Sequence, residues 1–431
     1  MSRKIFIFEF VSGGGFSKEK IPTSLLCEGF SMLRSIIADF KKLNFDIATL
    51  LDIRIKFFSS LLDSDSIKII GRNEDFLREF KNLVKKSEFC FIIAPEFSQI
   101  LRDLTEIINK SGKKLLSVGN KGIEIASSKL NTYKFFKANQ LPTPETYLIP
   151  NNNGYPDDSE LLKLSKKFKF PMLIKPDDGV GAESIYYFSS QSELENFIEV
   201  KKVSLEYKRR YILQEFILGR DLSILILNNQ SLIDKKKPPV ILSVNSQEIQ
   251  IKGSGGNSEY SGGMIPFEEN DILNEKINNL LENIDFQNFI GIFGIDFLFD
   301  DTINFIEINP RLTTSYIGLR YVFNVNPMEL LLKSRKESIN IKDLEMIRHS
   351  IFRRVELEYN GKQSPKELRK NVVPNILKIF PTEFITPPFS LDKERKHYSC
   401  FLATKEKSKE GSLKRLNKIY SYLNEEGFSI C

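Results

Sequence analysis

The sequence predicts an α/β fold in several packed subdomains, opening on a doubly wound parallel sheet. Three observations carry this expectation. The chain has 431 residues, 41% apolar and 27% charged, more than one ordinary compact core organises. Strand-like and helix-like segments alternate over the first 122 residues, the pattern of parallel strands joined by helices. After Leu141-Pro142-Thr143-Pro144 the pattern changes, and short apolar runs with hairpin punctuation take over.

Lys4–Phe10 alternates apolar residues like a first strand and runs into the turn Ser12-Gly13-Gly14-Gly15, followed by a helical stretch over residues 24–43. Phe45–Leu51, Cys90–Ala94 and Lys114–Val118 continue the strand series. A helix over 128–139 ends before the two prolines. Strands are then expected at 170–175, 184–188, 210–216 and 222–227, with helix-like sequence over 192–200. The polar, glycine-rich stretch 252–263 reads as a long loop. A helix over 271–281 precedes two apolar strands, 293–299 and 303–308, joined at Asp300-Asp301. Past residue 340 the pattern becomes charged and less regular, and no repeat or low-complexity tract is apparent.

Composition narrows the chemistry. The 62 Lys and Arg exceed the 56 Asp and Glu by only 6 and are scattered, which argues against nucleic acid as a partner. Cys27, Cys90, Cys400 and Cys431 form no CxxC pair, which fits a reducing cytoplasm. With two histidines, His349 and His397, a divalent metal is expected on carboxylates, hence Mg²⁺ or Mn²⁺. No apolar run reaches membrane-spanning length, and the N-terminus lacks a signal-peptide pattern.

Three segments carry chemistry. In Gly294-Ile295-Asp296 and Phe305-Ile306-Glu307-Ile308-Asn309-Pro310-Arg311, strand alternation puts Glu307 and Asn309 on one face and Ile306 and Ile308 on the other. With Asp296 across the hairpin, three oxygen ligands share a surface suited to Mg-ATP, and Arg311 adds a cation. An ordinary solvated hairpin face would look the same. In Phe170–Ala182, Lys175 ends a strand before a glycine-bearing turn that can face phosphates, though a lysine before a flexible turn is equally compatible. Gln214-Glu215-Phe216-Ile217, leading to Asp221, ends a strand that can offer backbone groups to a base.

Together and in this order, these segments resemble the ATP-grasp superfamily, over roughly Ser128–Leu332. The resemblance implies ATP as cofactor with two Mg²⁺ or Mn²⁺ ions. It implies phosphate contacts from Lys129 and Lys175, adenine contacts from Glu215, Phe216 and Ile217, and further ATP contacts from Gln214 and Asp221. Asp296, Glu307 and Asn309 would ligate metal, and Arg311 would act with Lys175 in catalysis. Domains are then expected at 1–125 (pre-ATP-grasp, Rossmann-like), 126–335 (ATP-grasp, with a lid half to about 215) and 336–431 (an extension with no assigned role).

The N-terminal residues Phe8–Gly15 and Leu25–Leu33 and the segment Glu259–Pro266 look like the archaeal ATP-grasp group that joins tyramine to L-glutamate in methanofuran biosynthesis. That resemblance implies a small-molecule acid and amine, no nucleic acid and no membrane, and allows a homodimer. It offers Glu9, Ser12, Gly13, Gly14, Glu28, Tyr260, Gly262 and Gly263 as substrate-side residues. The loops 12–15 and 253–263 are then the expected lids. The readings left open are a ligase of the same fold with other amino-acid or peptide substrates, and a catalytically silent nucleotide-binding regulator.

Overall fold

The computed structural model describes residues 3–179, 183–201, 205–229, 238–250, 256–257, 259–267, 271–337, 339, 344–391 and 396–431. Five parallel strands form the N-terminal sheet, in the order Ser66–Ile70, Phe45–Asp52, Arg3–Glu9, Phe89–Ile93, Lys114–Leu115. Sequence such as Ile5-Phe6-Ile7-Phe8, apolar at every position, is what a strand covered on both faces requires, and all four side chains are buried. The strand order reverses direction between Arg3–Glu9 and Phe89–Ile93. In such sheets this switch point opens a crevice beyond the carboxyl ends of the strands.

The second sheet is antiparallel, in the order Gly256–Asn257, Glu183–Phe188, Met172–Pro176, Tyr211–Glu215, Thr146–Ile149. The third has nine strands. Its path runs Thr302–Asn309, Gly291–Asp300, Arg220–Asn228, Val240–Gln250, Glu259–Ile265, Ser350–Tyr359, His397–Ala403, Phe384–Phe389, with Phe428–Ile430 paired beside Ser350–Tyr359.

Two expectations are corrected here. The stretch 252–263 is not one long loop: residues 251–255 and 258 lie outside the described residues, and Glu259–Ile265 is an interior strand of the nine-stranded sheet. Its glycines serve close packing. A Cβ on Gly262 would lie 2.1 Å from the Phe352 carbonyl oxygen, and one on Gly263 1.9 Å from that of Ser246, in the strands on either side. The chain beyond 340 is not irregular either. Ser350–Tyr359, His397–Ala403, Phe384–Phe389 and Phe428–Ile430 complete the same sheet and bury their own core around Leu357, Ile376, Phe380 and Ile419.

Helix Thr23–Lys41 ties the layers together. On one side it packs on Arg3–Glu9 and Phe45–Asp52, on the other on Phe384–Phe389 and His397–Ala403. Its Asp39, 2% exposed, accepts from Arg320 Nε at 2.8 Å, Arg320 Nη2 at 2.7 Å and the Tyr316 hydroxyl at 2.7 Å. Arg34 Nη1 donates to the carbonyls of Phe384 and Ile385 at 2.9 and 2.6 Å. No helix among the described residues is long and apolar enough to cross a membrane.

Candidate active site

A cavity of about 780 Å³ opens at the switch point of the parallel sheet, with walls from all three sheets. Such crevices suit nucleotides and other small ligands. Its floor is the hairpin of Gly291–Asp300 and Thr302–Asn309. Asp296 pairs with Glu307, and the register then shifts so that Phe297 pairs with Phe305. Ile306 is the extra residue of a β-bulge, which reverses the alternation on either side of it. Phe305, which strict alternation would place on the face of Glu307, is fully buried among the rings of Phe136 and Phe297. Ile306, expected to point away with Ile308, lines the cavity instead, whereas Ile308 is buried in the core.

The floor is charged and half-buried. Asp296 Oδ2 accepts from Asn309 Nδ2 at 2.9 Å and Asp296 Oδ1 from Gln247 Nε2 at 3.1 Å. Burial, and then the charge of Glu307, push Asp296 up to about 8. Burial also pushes Glu307 upward, but Lys129 and Lys175 more than offset it and hold Glu307 below the usual carboxylate range. Lys129 Nζ lies 3.4 Å from Glu307 Oε2. Lys175, 4% exposed at the end of Met172–Pro176, is lowered to about 8 by burial and by the like charge of Lys129.

Lys129 is placed by a helix cap. The Ser128 side chain accepts from the Asn131 amide, and the Asp177 carboxylate takes hydrogen bonds from the Ser128 hydroxyl at 2.8 Å and the Leu130 amide at 2.9 Å. Asp177 thus orients the first turn of Lys129–Ala138 from the strand end that carries Lys175. Residues 180–182 of the expected phosphate turn lie outside the described residues. Gln214, Glu215, Phe216 and Ile217 line the cavity where Tyr211–Glu215 ends. The Gln214 side chain donates to Thr146 Oγ1 at 2.8 Å, and the Glu215 and Phe216 amides donate to the Glu145 and Pro171 carbonyls at 3.0 and 3.3 Å. Asp221 lines the same side, raised to about 6 by burial.

The cavity wall also takes Glu9 from the N-terminal sheet, Glu28 from helix Thr23–Lys41 and Tyr260 from Glu259–Ile265, whereas Ser12, Gly13, Gly14, Gly262 and Gly263 do not line it. Glu9 fixes the glycine turn, accepting from the Val11 amide at 3.0 Å and from the Ser12 amide and hydroxyl at 2.7 and 2.6 Å. With that turn packed against Phe8, Phe10 and Ile70, and Glu259–Gly263 built into a sheet, the described parts of the two expected lids are fixed structure.

Two residues escaped the sequence reading. Glu96 Oε1 lies 2.9 Å from Arg311 Nε, both side chains nearly buried. Arg354, from Ser350–Tyr359, lines the cavity among Glu28, Glu259 and Glu356. Neither sits in a motif. Buried Arg354 and the paired acids, read as alternation in Ser350–Tyr359, were the only signal, and the pattern past 340 hid it.

Whether this floor fits a divalent cation can be tested on its chemistry. Asp296 and Glu307 are half-buried cross-strand partners, and burial together with the charge of Glu307 raises Asp296. Among the described residues no group of three or more His, Cys, Asp or Glu is placed to hold a metal ion, here or elsewhere. Two carboxylates and an amide suit Mg²⁺, which takes its remaining ligands from water and phosphate. The donor set fits.

Comparison with known proteins finds two domain models in series along the chain. An ATP-grasp domain model matches residues 126–315, and a pre ATP-grasp 3 domain model matches residues 46–123. Tyramine–L-glutamate ligase of Methanocaldococcus fervens is 29% identical over 352 residues, spanning 78% of this chain and 99% of that protein. The alpha-aminoadipate–LysW ligase of Saccharolobus solfataricus is 22% identical over 311 residues, 70% of this chain and 96% of that one. The crystal structure of an L-amino acid ligase from Bacillus licheniformis matches with a TM-score of 0.62 at 13% identity, covering 100% of this chain and 98% of that one. The biotin carboxylase domain of Hydrogenobacter thermophilus 2-oxoglutarate carboxylase reaches 0.68 at 14% identity, covering 100% and 91%. At these identities the structural likeness establishes the fold.

A parallel sheet followed by two antiparallel sheets around one cavity, matched in series by these two domain models, defines a nucleotide-using α/β protein of the grasp type. The chain belongs to the ATP-grasp ligase family, with a pre-ATP-grasp domain ahead of the grasp, and is an ATP-dependent carboxylate–amine ligase that uses ATP with Mg²⁺.

Proposed function

We propose that the protein activates L-glutamate with ATP as an acyl phosphate and joins it to tyramine, releasing ADP and phosphate. The observation that carries this reading is one cavity in which Lys129, Lys175 and Arg311 face Asp296, Glu307 and Asn309. The choice of substrates rests on the 29% identical relative, and with it the expectation of methanofuran biosynthesis.

In this reading Asp296, Glu307 and Asn309 hold two Mg²⁺ ions, replaceable by Mn²⁺. Bound there, the ions would neutralise phosphate charge during phosphoryl transfer. Lys129 and Lys175 hold phosphate oxygens. Lys175 is charged more firmly once an anion arrives, because the polyphosphate offsets the burial and the neighbouring ammonium that lower it. In this reading the main-chain groups of Glu215–Ile217 not already paired take the base edge, and Asp221, which lines the same cavity, accepts from a sugar hydroxyl. Arg311 stabilises charge on the acyl group as it is phosphorylated and then attacked.

The test is ADP release from Mg-ATP with and without L-glutamate plus tyramine, then with other acids and amines. ADP release that requires both partners, with a new amide detected by mass, supports the reading. Activity only with other pairs replaces these substrates, and silence with ATP still bound favours a regulator.

A further inference from the structure

Besides the lysines and the hairpin floor, the cavity wall includes the buried guanidinium of Arg354, which stands among carboxylates. Arg354, 7% exposed, donates through Nη1 to Glu356 at 2.6 Å and through Nη2 to Glu259 at 2.9 Å and the Tyr260 carbonyl at 3.0 Å. Those two acids already offset its charge. Glu28 is a third, 3.3 Å from Arg354 Nε, yet the geometry is not that of a hydrogen bond and the buried Nε finds no acceptor. The neighbouring Glu9 is spent on the Val11 and Ser12 amides. Among the described residues three carboxylates thus share one guanidinium, and Glu28, which makes only the ion pair to it, lines the cavity wall.

We propose that Glu28 receives the amine substrate as its ammonium ion and takes a proton from it, so that the cavity selects cationic amines. This rests on the acyl-phosphate reading above and adds the residue that makes the amine a nucleophile. An ammonium supplies positive charge that the three carboxylates sharing Arg354 leave unbalanced among the described residues, and a carboxylate beside it is the acceptor a bound amine needs. The groups that act on Glu28 are Arg354, Arg311 and Glu356, with Tyr260 and, on its own helix, Cys27 close by. Burial raises Glu28 to about 7 against the pull of Arg354 and Arg311, a value suited to a base at neutral pH.

The balance closes. The ammonium gives one proton to the Glu28 carboxylate; the free amine nitrogen bonds to the acyl carbon; the bond from that carbon to the phosphate oxygen breaks; and the second nitrogen proton leaves on phosphate as hydrogen phosphate.

Hydroxylamine, largely neutral at neutral pH, traps an acyl phosphate as a hydroxamate without needing this base. The assay compares wild type with Glu28→Gln, using Mg-ATP and L-glutamate with either tyramine or hydroxylamine. Amide formation in Glu28→Gln is expected to fall by about 100-fold or more, the usual contribution of a general base, while hydroxamate formation falls far less. In wild type, kcat/KM for tyramine should decline below about pH 7, and this limb should be absent from the hydroxylamine profile. Glu28→Asp should restore part of the amide rate. Equal loss with both nucleophiles, or an unchanged amide rate, overturns the assignment. Wild type that makes no glutamate-dependent hydroxamate removes the underlying acid activation, a failure distinct from that of Glu28 alone.

Discussion

Glu307 and Asp296 face each other across the hairpin and resolve their repulsion unequally. Glu307, beside Lys129 and Lys175, keeps its charge, while Asp296 is pushed up to about 8 by burial and by Glu307. Glu307→Gln keeps the shape and removes the charge that would bind metal. It is expected to lower acid- and amine-dependent ADP formation by at least about 100-fold with an unchanged circular dichroism spectrum. Near-normal turnover would remove Glu307 from the metal site. Asp296 also makes a statement about stability. Its folded value lies above the ordinary carboxylate value of about 4, so the native metal-free protein binds the proton more tightly than the unfolded chain. That contribution is complete below about pH 4 and is lost as pH rises toward about 8. Asp296→Asn should therefore flatten the decline of metal-free melting temperature between these pH values relative to wild type. Parallel slopes in the two proteins would contradict the raised value.

The helix Thr23–Lys41 and the bulged hairpin do the positioning. One unpaired residue, Ile306, keeps Phe305 in the core while Glu307 stays with Asp296 at the cavity. The helix presents Glu28 to the cavity and anchors its far end through Asp39 to Arg320 and Tyr316. Removing one partner of a buried ion pair leaves the other uncompensated. Asp39→Ala is thus expected to cost about 3–5 kcal/mol of stability, read as a shift in urea midpoint. A shift equivalent to less than about 1 kcal/mol, the worth of an exposed pair, would mean that Arg320 finds water or another acceptor.

The nine-stranded sheet makes the last ninety or so residues part of the machine that its order of strands defines. Glu259–Ile265 hydrogen-bonds to Ser350–Tyr359, so a chain ending at residue 343 would expose that edge, strip helix Thr23–Lys41 of the Phe384–Phe389 carbonyls that Arg34 grips, and remove Arg354. Such a fragment is expected to aggregate or to lose cooperative unfolding, checked by size-exclusion chromatography and thermal denaturation. A soluble, cooperatively melting fragment would make the segment a separate appendage.

The sequence by itself determined the parallel N-terminal sheet, the hairpin carrying Asp296, Glu307 and Asn309, and the strand ending at Lys175. These are local: strand periodicity and turn residues encode each within a short window. The tertiary structure decided the rest. The bulge at Ile306 depends on where Phe305 finds its core, and the glycines of Glu259–Ile265 read as loop until two neighbouring backbones crowd them. Glu96 and Arg354 come to Arg311 and Glu28 from segments far apart in the chain, each in a stretch with no motif. A carboxylate's partner, and hence its charge, is set by burial and by what packs against it, and periodicity carries neither.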